Sequence, residues 1–225
     1  MAISPMLLLQ WLPKNEYHET RTIVAEFAKS VRIAHADVQS KASAMQKVAE
    51  WFKNNPGDTQ YLFIGAHGIK DDTGKCIGLG ASGVEDEYAT WDELGEWLKA
   101  GTLVGGLWLG ACKSSDAAYG FTPLISRYHR DLLGSLYGFS EEIYPPAIEK
   151  VLRKLMEFVT GSRPPYLDVE LTLLRQALPE SKIEMFYAAN TIQQRNEYVN
   201  VDEFEARVGK AFRQHLEDVA KLRTR

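Results

Sequence analysis

The sequence predicts an α/β fold with a largely parallel central sheet. Apolar runs of strand length alternate with amphipathic helical stretches along most of the chain. The first run, Met6–Leu12, has the apolar character of a strand covered on both faces, as in parallel sheets. The chain has 225 residues, 45% hydrophobic and 25% charged, enough to bury a substantial core without cross-links.

The elements follow in order. After Met6–Leu12, Tyr17, Ile23, Val24 and Phe27 recur at roughly helical spacing and predict a helix over Tyr17–Ala28. Val31–Val38 reads as a second strand. Met45, Val48, Ala49 and Phe52 predict the buried face of a second helix, which Asn54, Asn55, Pro56 and Gly57 end. Tyr61–Gly65 is the third strand. Ile69–Ala81 reads as a hairpin whose turn chemistry is Asp71, Asp72, Thr73 and Gly74. Thr90 and Glu93 make a capping box ahead of Leu94, Trp97 and Leu98. Leu103–Ala111 is the fourth strand and Ser135–Ser140 the fifth. Pro145 and Pro146 open a helix facing the core with Ile148, Val151, Leu152, Leu155, Met156 and Val159. GSRPP at 161–165 is the best loop signal. A helix over Asp168–Leu178, a strand at 183–189 and a helix over 202–222 complete the chain. We expect a single domain over 1–225. Its core is 1–160, and 161–225 completes the sheet and the helical layer.

The formal net charge is −4 and the pI about 5.8, which argues against a nucleic-acid or anionic-membrane partner. The basic tail KLRTR at 221–225 reads as a helix end whose cations suit the helix dipole. Two cysteines, Cys76 and Cys112, exclude a disulfide scaffold and a four-cysteine metal site. The five histidines have no metal-ligand spacing, so no metal and no cofactor is expected. The N-terminal apolar run is too short for a membrane span and poorly flanked for a signal peptide, so we expect a cytoplasmic protein. Cys76 reads as a spectator, His35 as a buried and satisfied histidine, and Trp91, Trp97 and Trp108 as core.

The third strand runs into His67 and the fourth into Cys112. In open parallel sheets, function gathers at the carboxyl ends of strands. Adjacent strands lie about 4.8 Å apart, so two such side chains can converge if these strands are neighbours. A thiol is mostly protonated at neutral pH, and a nearby histidine can take its proton. A helix starting at Lys113–Ser115 would further favour the thiolate. The amides of Gly68 and Cys112 are candidates to hold the oxyanion of a tetrahedral intermediate. His67 precedes Cys112 by 112 − 67 = 45 residues, close to the roughly 50 of caspase-type enzymes.

With IGAHG at 64–68, LGACKSS at 109–115 and the stretch 136–159 after them, the chain resembles the caspase-like (clan CD) cysteine peptidases. Within them it is most similar to the bacterial CHAT branch, related to separase and the metacaspases. The resemblance covers about residues 5–160. It implies a caspase–hemoglobinase-type three-layer sandwich, with Cys112 as nucleophile and His67 as general base and acid. It implies hydrolysis of a peptide or protein substrate through a thioester acyl-enzyme. Metacaspases often carry an acid two residues before the nucleophile, and caspases a Gln. Gly110 stands there in this chain, so neither specificity carries over. Asp71, Asp72, Asp116, Glu141 and Glu142 are candidates to receive a basic substrate residue, and Arg127, Arg130 and Arg163 an acidic one.

Two other readings stay open. One is a non-catalytic module on the same fold, a regulator or assembly unit with a protein partner. A thiol made more acidic at Cys112 points to the enzyme, an inert thiol to the module. The other is a thiol hydrolase of amidotransferase type, which would use a later histidine such as His129 or His215.

Overall fold

The computed structural model describes residues 5–16, 20–56, 60–98, 104–117, 135–160, 167–177, 179, 182–190, 196–200, 202 and 206. The strands are β1 (Met6–Trp11), β2 (Ile33–Val38), β3 (Gln60–Lys70), β4 (Cys76–Gly80), β5 (Tyr88–Thr90), β6 (Val104–Gly110), β7 (Ser135–Phe139), β8 (Ile183–Asn190) and β9 (Asn196–Asn200). The helices are α1 (Thr20–Phe27), α2 (Lys41–Asn54), α3 (Trp91–Leu98), α4 (Pro145–Thr160) and α5 (Leu167–Ala177). The helix start expected at Tyr17 and the loop at 161–165 lie outside the described residues. So do the tail at 221–225 and all of the helix expected over 202–222 except Asp202 and Ala206.

Seven strands form one sheet in the order β2-β1-β3-β6-β7-β8-β9. The pairings from β2 across to β7 are parallel, and β8 and β9 add antiparallel strands at the far edge. Side chains alternate across the sheet. Leu7, Leu9 and Trp11 of β1 enter a core with Val48 and Trp51 of α2 and Leu94 of α3. Met6 and Leu8 enter a second core with Ile23 of α1, Val151 and Leu155 of α4, and Leu171 of α5. The sheet therefore lies between two helical layers, the three-layer α/β architecture expected. Among the described residues, no helix is long and apolar enough to cross a membrane.

Local chemistry sets the element ends. Asp71 Oδ1 accepts from the Thr73 N–H at 2.9 Å and the Lys75 N–H at 3.1 Å, and Gly74 takes φ +80°, the left-handed conformation that favours glycine. The capping box is complete. Glu93 Oε2 accepts from the Thr90 N–H at 2.9 Å, and Thr90 Oγ1 accepts from the Glu93 N–H at 3.3 Å.

Two expectations are corrected, and two strands were not foreseen. The buried face of α2 is Ala44, Val48, Trp51 and Phe52, while Met45 and Ala49 are exposed. The period was read correctly but its phase was turned by one residue, because Trp51 anchors the helix on α3's side of the sheet. The third strand does not stop at Gly65. It runs on to Lys70, leaving β6 and pairing through His67 with Gly80 of β4. The small residues of GAHG hid that continuation. The short strands β5 and β9 have too few apolar residues to be read from sequence.

Candidate active site

β3 and β6 are neighbours, and their register sets Gly65 opposite Gly110. Two residues on from that pair stand His67 and Cys112. Phe63 and Trp108 belong to the same core, so alternation puts Gly65, His67 and Gly110 on that side of the sheet. Cys112 follows in the turn after β6, and its sulfur contacts Ile143, which packs against the same core.

The backbones meet at Gly68. A Cβ there would lie 2.0 Å from the Cys112 carbonyl oxygen and 3.2 Å from Cys76 Sγ. No side chain fits without moving backbone, so glycine is required for the turn after Cys112 to lie against β3. Gly68→Ala is therefore expected to cost about 1–3 kcal/mol through overpacking. For a chain of this size that is a fall in Tm of roughly 3–10 °C. Gly83, with nothing within 4 Å of its Cβ position, supplies the control. Thermal unfolding of Gly68→Ala beside Gly83→Ala is the measurement, and equal Tm values would refute the close approach.

The turn after Cys112 is tight. Lys113 adopts φ 52°, ψ 24°, a left-handed conformation that costs a non-glycine residue about 1 kcal/mol. Its Nζ donates to the Gly74 carbonyl at 3.2 Å, tying the turn to the β3–β4 hairpin. A 3-10 turn, Ser114–Asp116, follows. Ser114 is fully buried, donates to the Leu109 carbonyl at 3.0 Å and accepts from the Phe139 N–H at 3.1 Å. It therefore braces β6 to β7, a structural role for the first serine of CKSS.

The thiol's own surroundings differ from expectation. Ile143 N–H donates to Cys112 Sγ at 3.3 Å. The thiol proton has two acceptors in reach, the Ile143 carbonyl at 3.6 Å and the Glu142 carboxylate. Burial pushes the Cys112 thiol above its ordinary range; the Ile143 N–H pulls it down and Glu142 pushes it up again. His67 instead presents Nε2 to Glu16 Oε2 at 2.8 Å. Glu16 ends a 3-10 turn just after β1, closed by its own N–H on the Pro13 carbonyl at 2.8 Å. Trp11 pairs with Ala66, so that turn lies at the level of His67.

One solved structure is similar to this chain in fold. A secreted C11 cysteine protease from Bacteroides thetaiotaomicron, solved with an irreversible peptide inhibitor, is similar with a TM-score of 0.49 and 12% identity. The match covers 82% of this chain and 66% of that one, so this chain spans less than two thirds of the other's length. No family model and no curated protein matches the chain.

The five candidate acids separate in space. Asp71 and Asp72 sit in the hairpin turn. Asp71 serves the turn, and its Thr73 hydroxyl and amide donors hold it below the usual carboxylate range. Asp116 Oδ2 accepts from the Cys76 N–H at 3.0 Å, joining the 3-10 turn to β4. Glu141 is exposed and paired with Lys182. Glu142 alone reaches Cys112. Its ion pair with Lys70, then the thiol, hold it below the usual range. At Gly110, a Cβ would lie 2.7 Å from Phe63 Cζ and 3.0 Å from Ile148 Cγ2, so apolar side chains fill the place where an acid or Gln would project. Arg127, His129, Arg130, Arg163 and His215 lie outside the described residues.

The remaining expectations resolve simply. Cys76 is fully buried, and burial pushes its thiol up to about 11. Trp91, Trp97 and Trp108 are core. His35 joins a polar cluster on β1, β2 and α1. Its Nε2 lies 3.1 Å from Thr20 Oγ1, 3.3 Å from Gln10 Nε2 and 3.2 Å from Asp37 Oδ1, and burial lowers its pKa. Among the described residues no group of His, Cys, Asp and Glu is arranged to hold a metal. Sequence reasoning missed Glu16, Lys70 and the Ile143 backbone. The three come from separate segments, and no local pattern links them to the cysteine.

Proposed function

We propose that the chain is a caspase-like cysteine endopeptidase, of the CHAT branch by resemblance, with Cys112 as nucleophile and His67 as general base and acid. The supporting observation is that His67 and Cys112 each follow, by two residues, the paired Gly65 and Gly110 of adjacent parallel strands, with Gly68 packed against the Cys112 backbone. In the reaction, His67 takes the thiol proton as Sγ bonds to the scissile carbonyl carbon. The amides of Gly68 and Cys112 hold the oxyanion. The C–N bond then breaks, His67 delivers the proton to the leaving amine, and a thioester remains. Water attacks the thioester, releasing the acid and restoring the thiol.

Glu16 enters this reading as a positioning residue. With Nε2 held by Glu16, Nδ1 is the ring nitrogen to which this reading assigns proton exchange with the thiol. The pair is about half exposed, with side chains 44% and 45% accessible, so it adds little to fold stability. Glu16→Gln is accordingly expected to lower kcat about tenfold, with KM and Tm unchanged and activity restored in part by Glu16→Asp. Steady-state kinetics check this. A variant with wild-type kcat would remove Glu16 from the site.

One observation favours the second reading, a non-catalytic module: the thiol is made less acidic, not more. A positional-scanning peptide library decides between the two. Selective cleavage supports the peptidase. Absence of any turnover, together with a Cys112 that resists alkylation at every ionic strength, supports the module.

A further inference from the structure

The segment between β7 and α4 lies against the cysteine and is tied on several sides. Lys113 N–H donates to the Glu141 carbonyl at 3.1 Å. The Glu141 carboxylate pairs with Lys182, and the Glu142 carboxylate pairs with Lys70 of β3. Ile143 places both its N–H and its carbonyl on Sγ. The sulfur's lone pair and proton are therefore both engaged within the chain. An attacking thiol needs a carbonyl carbon about 3–3.5 Å away, and the Ile143 backbone stands at that distance.

We infer that Glu141–Ile143 is an inhibitory strap, latched by Lys70 and Lys182, that occupies Cys112 Sγ and must lift before the thiol can attack. The inference rests on the reading of Cys112 as nucleophile. The latch is weak by construction. Glu141 and Glu142 are exposed, and exposed lysine–carboxylate pairs are screened by salt. The strap's ends are fixed, by the Ser140 N–H on the Lys182 carbonyl at 3.0 Å on one side and by the start of α4 on the other. Release is thus a local lift and leaves the sheet intact.

The test is site-resolved alkylation of Cys112 by iodoacetamide, an uncharged reagent, at neutral pH on the full chain, with buried Cys76 as internal reference. Glu142→Gln and Lys70→Met should each speed alkylation about threefold to tenfold. Wild type should speed up over the same range between low salt and about 1 M salt. Lys70 by itself lowers the thiol's pKa. If only local charge mattered, Lys70→Met would therefore slow the reaction while Glu142→Gln sped it. That split, or rates that neither salt nor either variant moves, overturns the strap. Should a variant unfold, shown by Cys76 reacting as fast as Cys112, the wild-type salt series decides. Peptide turnover separates the two levels. Turnover that needs Cys112 alongside unmoved alkylation rates removes the strap and keeps the peptidase, and turnover that survives Cys112→Ala removes the peptidase.

Discussion

Cys112→Ala is expected to abolish peptide cleavage, lowering kcat/KM by about 10⁴–10⁶-fold, while Cys76→Ala is expected to leave turnover per folded molecule unchanged. Both residues are free thiols of one chain, and their surroundings separate them. Cys112 is half-buried at the carboxyl end of β6, beside the backbone of Gly68. Cys76 is fully buried in the opposite core, its sulfur 3.4 Å from the Gly78 carbonyl and its thiol pushed up to about 11. A thiol so placed is neither ionised nor reachable at neutral pH. The measurement is cleavage of the best library peptide by wild type and both variants, normalised to folded protein. Equal loss in the two variants, or none in either, would refute Cys112 as nucleophile. The thiol's raised pKa adds a condition with a definite sign. Without substrate, alkylation of Cys112 is expected to be slow at neutral pH and to accelerate as pH rises past the ordinary thiol range, because burial raises the thiol's pKa and the thiolate fraction grows there.

His67→Ala is expected to lower kcat by about 10²–10⁴-fold, with a smaller change in KM. The expected loss follows from the two proton transfers assigned to His67 in the proposed mechanism, one from the thiol and one to the leaving amine. Because the imidazole is 44% exposed, the variant should keep close to the wild-type Tm, and a loss of activity is then not due to unfolding. Steady-state kinetics with thermal unfolding on the same preparation check both halves. Full activity in His67→Ala would move the proton shuttle to another histidine, as an amidotransferase-type site requires.

Much of the fold was legible because it is written locally. The hairpin turn at Asp71–Gly74 depends on one carboxylate, the amides just after it and one glycine. The capping box needs only Thr90 and Glu93. The strand runs were readable from composition, and helix α4 from spacing. The misreadings have physical causes as well. Of the α2 face expected at Met45, Val48, Ala49 and Phe52, Val48 and Phe52 are buried, and Trp51, the larger apolar group, turns the helix so that Met45 and Ala49 are not. β3 changes partners at residues 66–67, from the parallel sheet to a hairpin, and only pairing reveals that such a strand continues.

The site divides along the same line. The sequence by itself determined the chemistry available, a histidine and a cysteine each following an apolar strand, and a glycine beside the histidine where a close approach is needed. Tertiary structure alone decided what surrounds them. Glu16 reaches His67 because β1 lies next to β3, and Glu142 reaches Cys112 because β7 lies next to β6. Hydrogen bonds and ion pairs act over a few ångströms of space regardless of distance along the chain. The order of strands in the sheet therefore sets the partners of a reactive side chain, and with them whether the thiol at Cys112 rests covered or exposed.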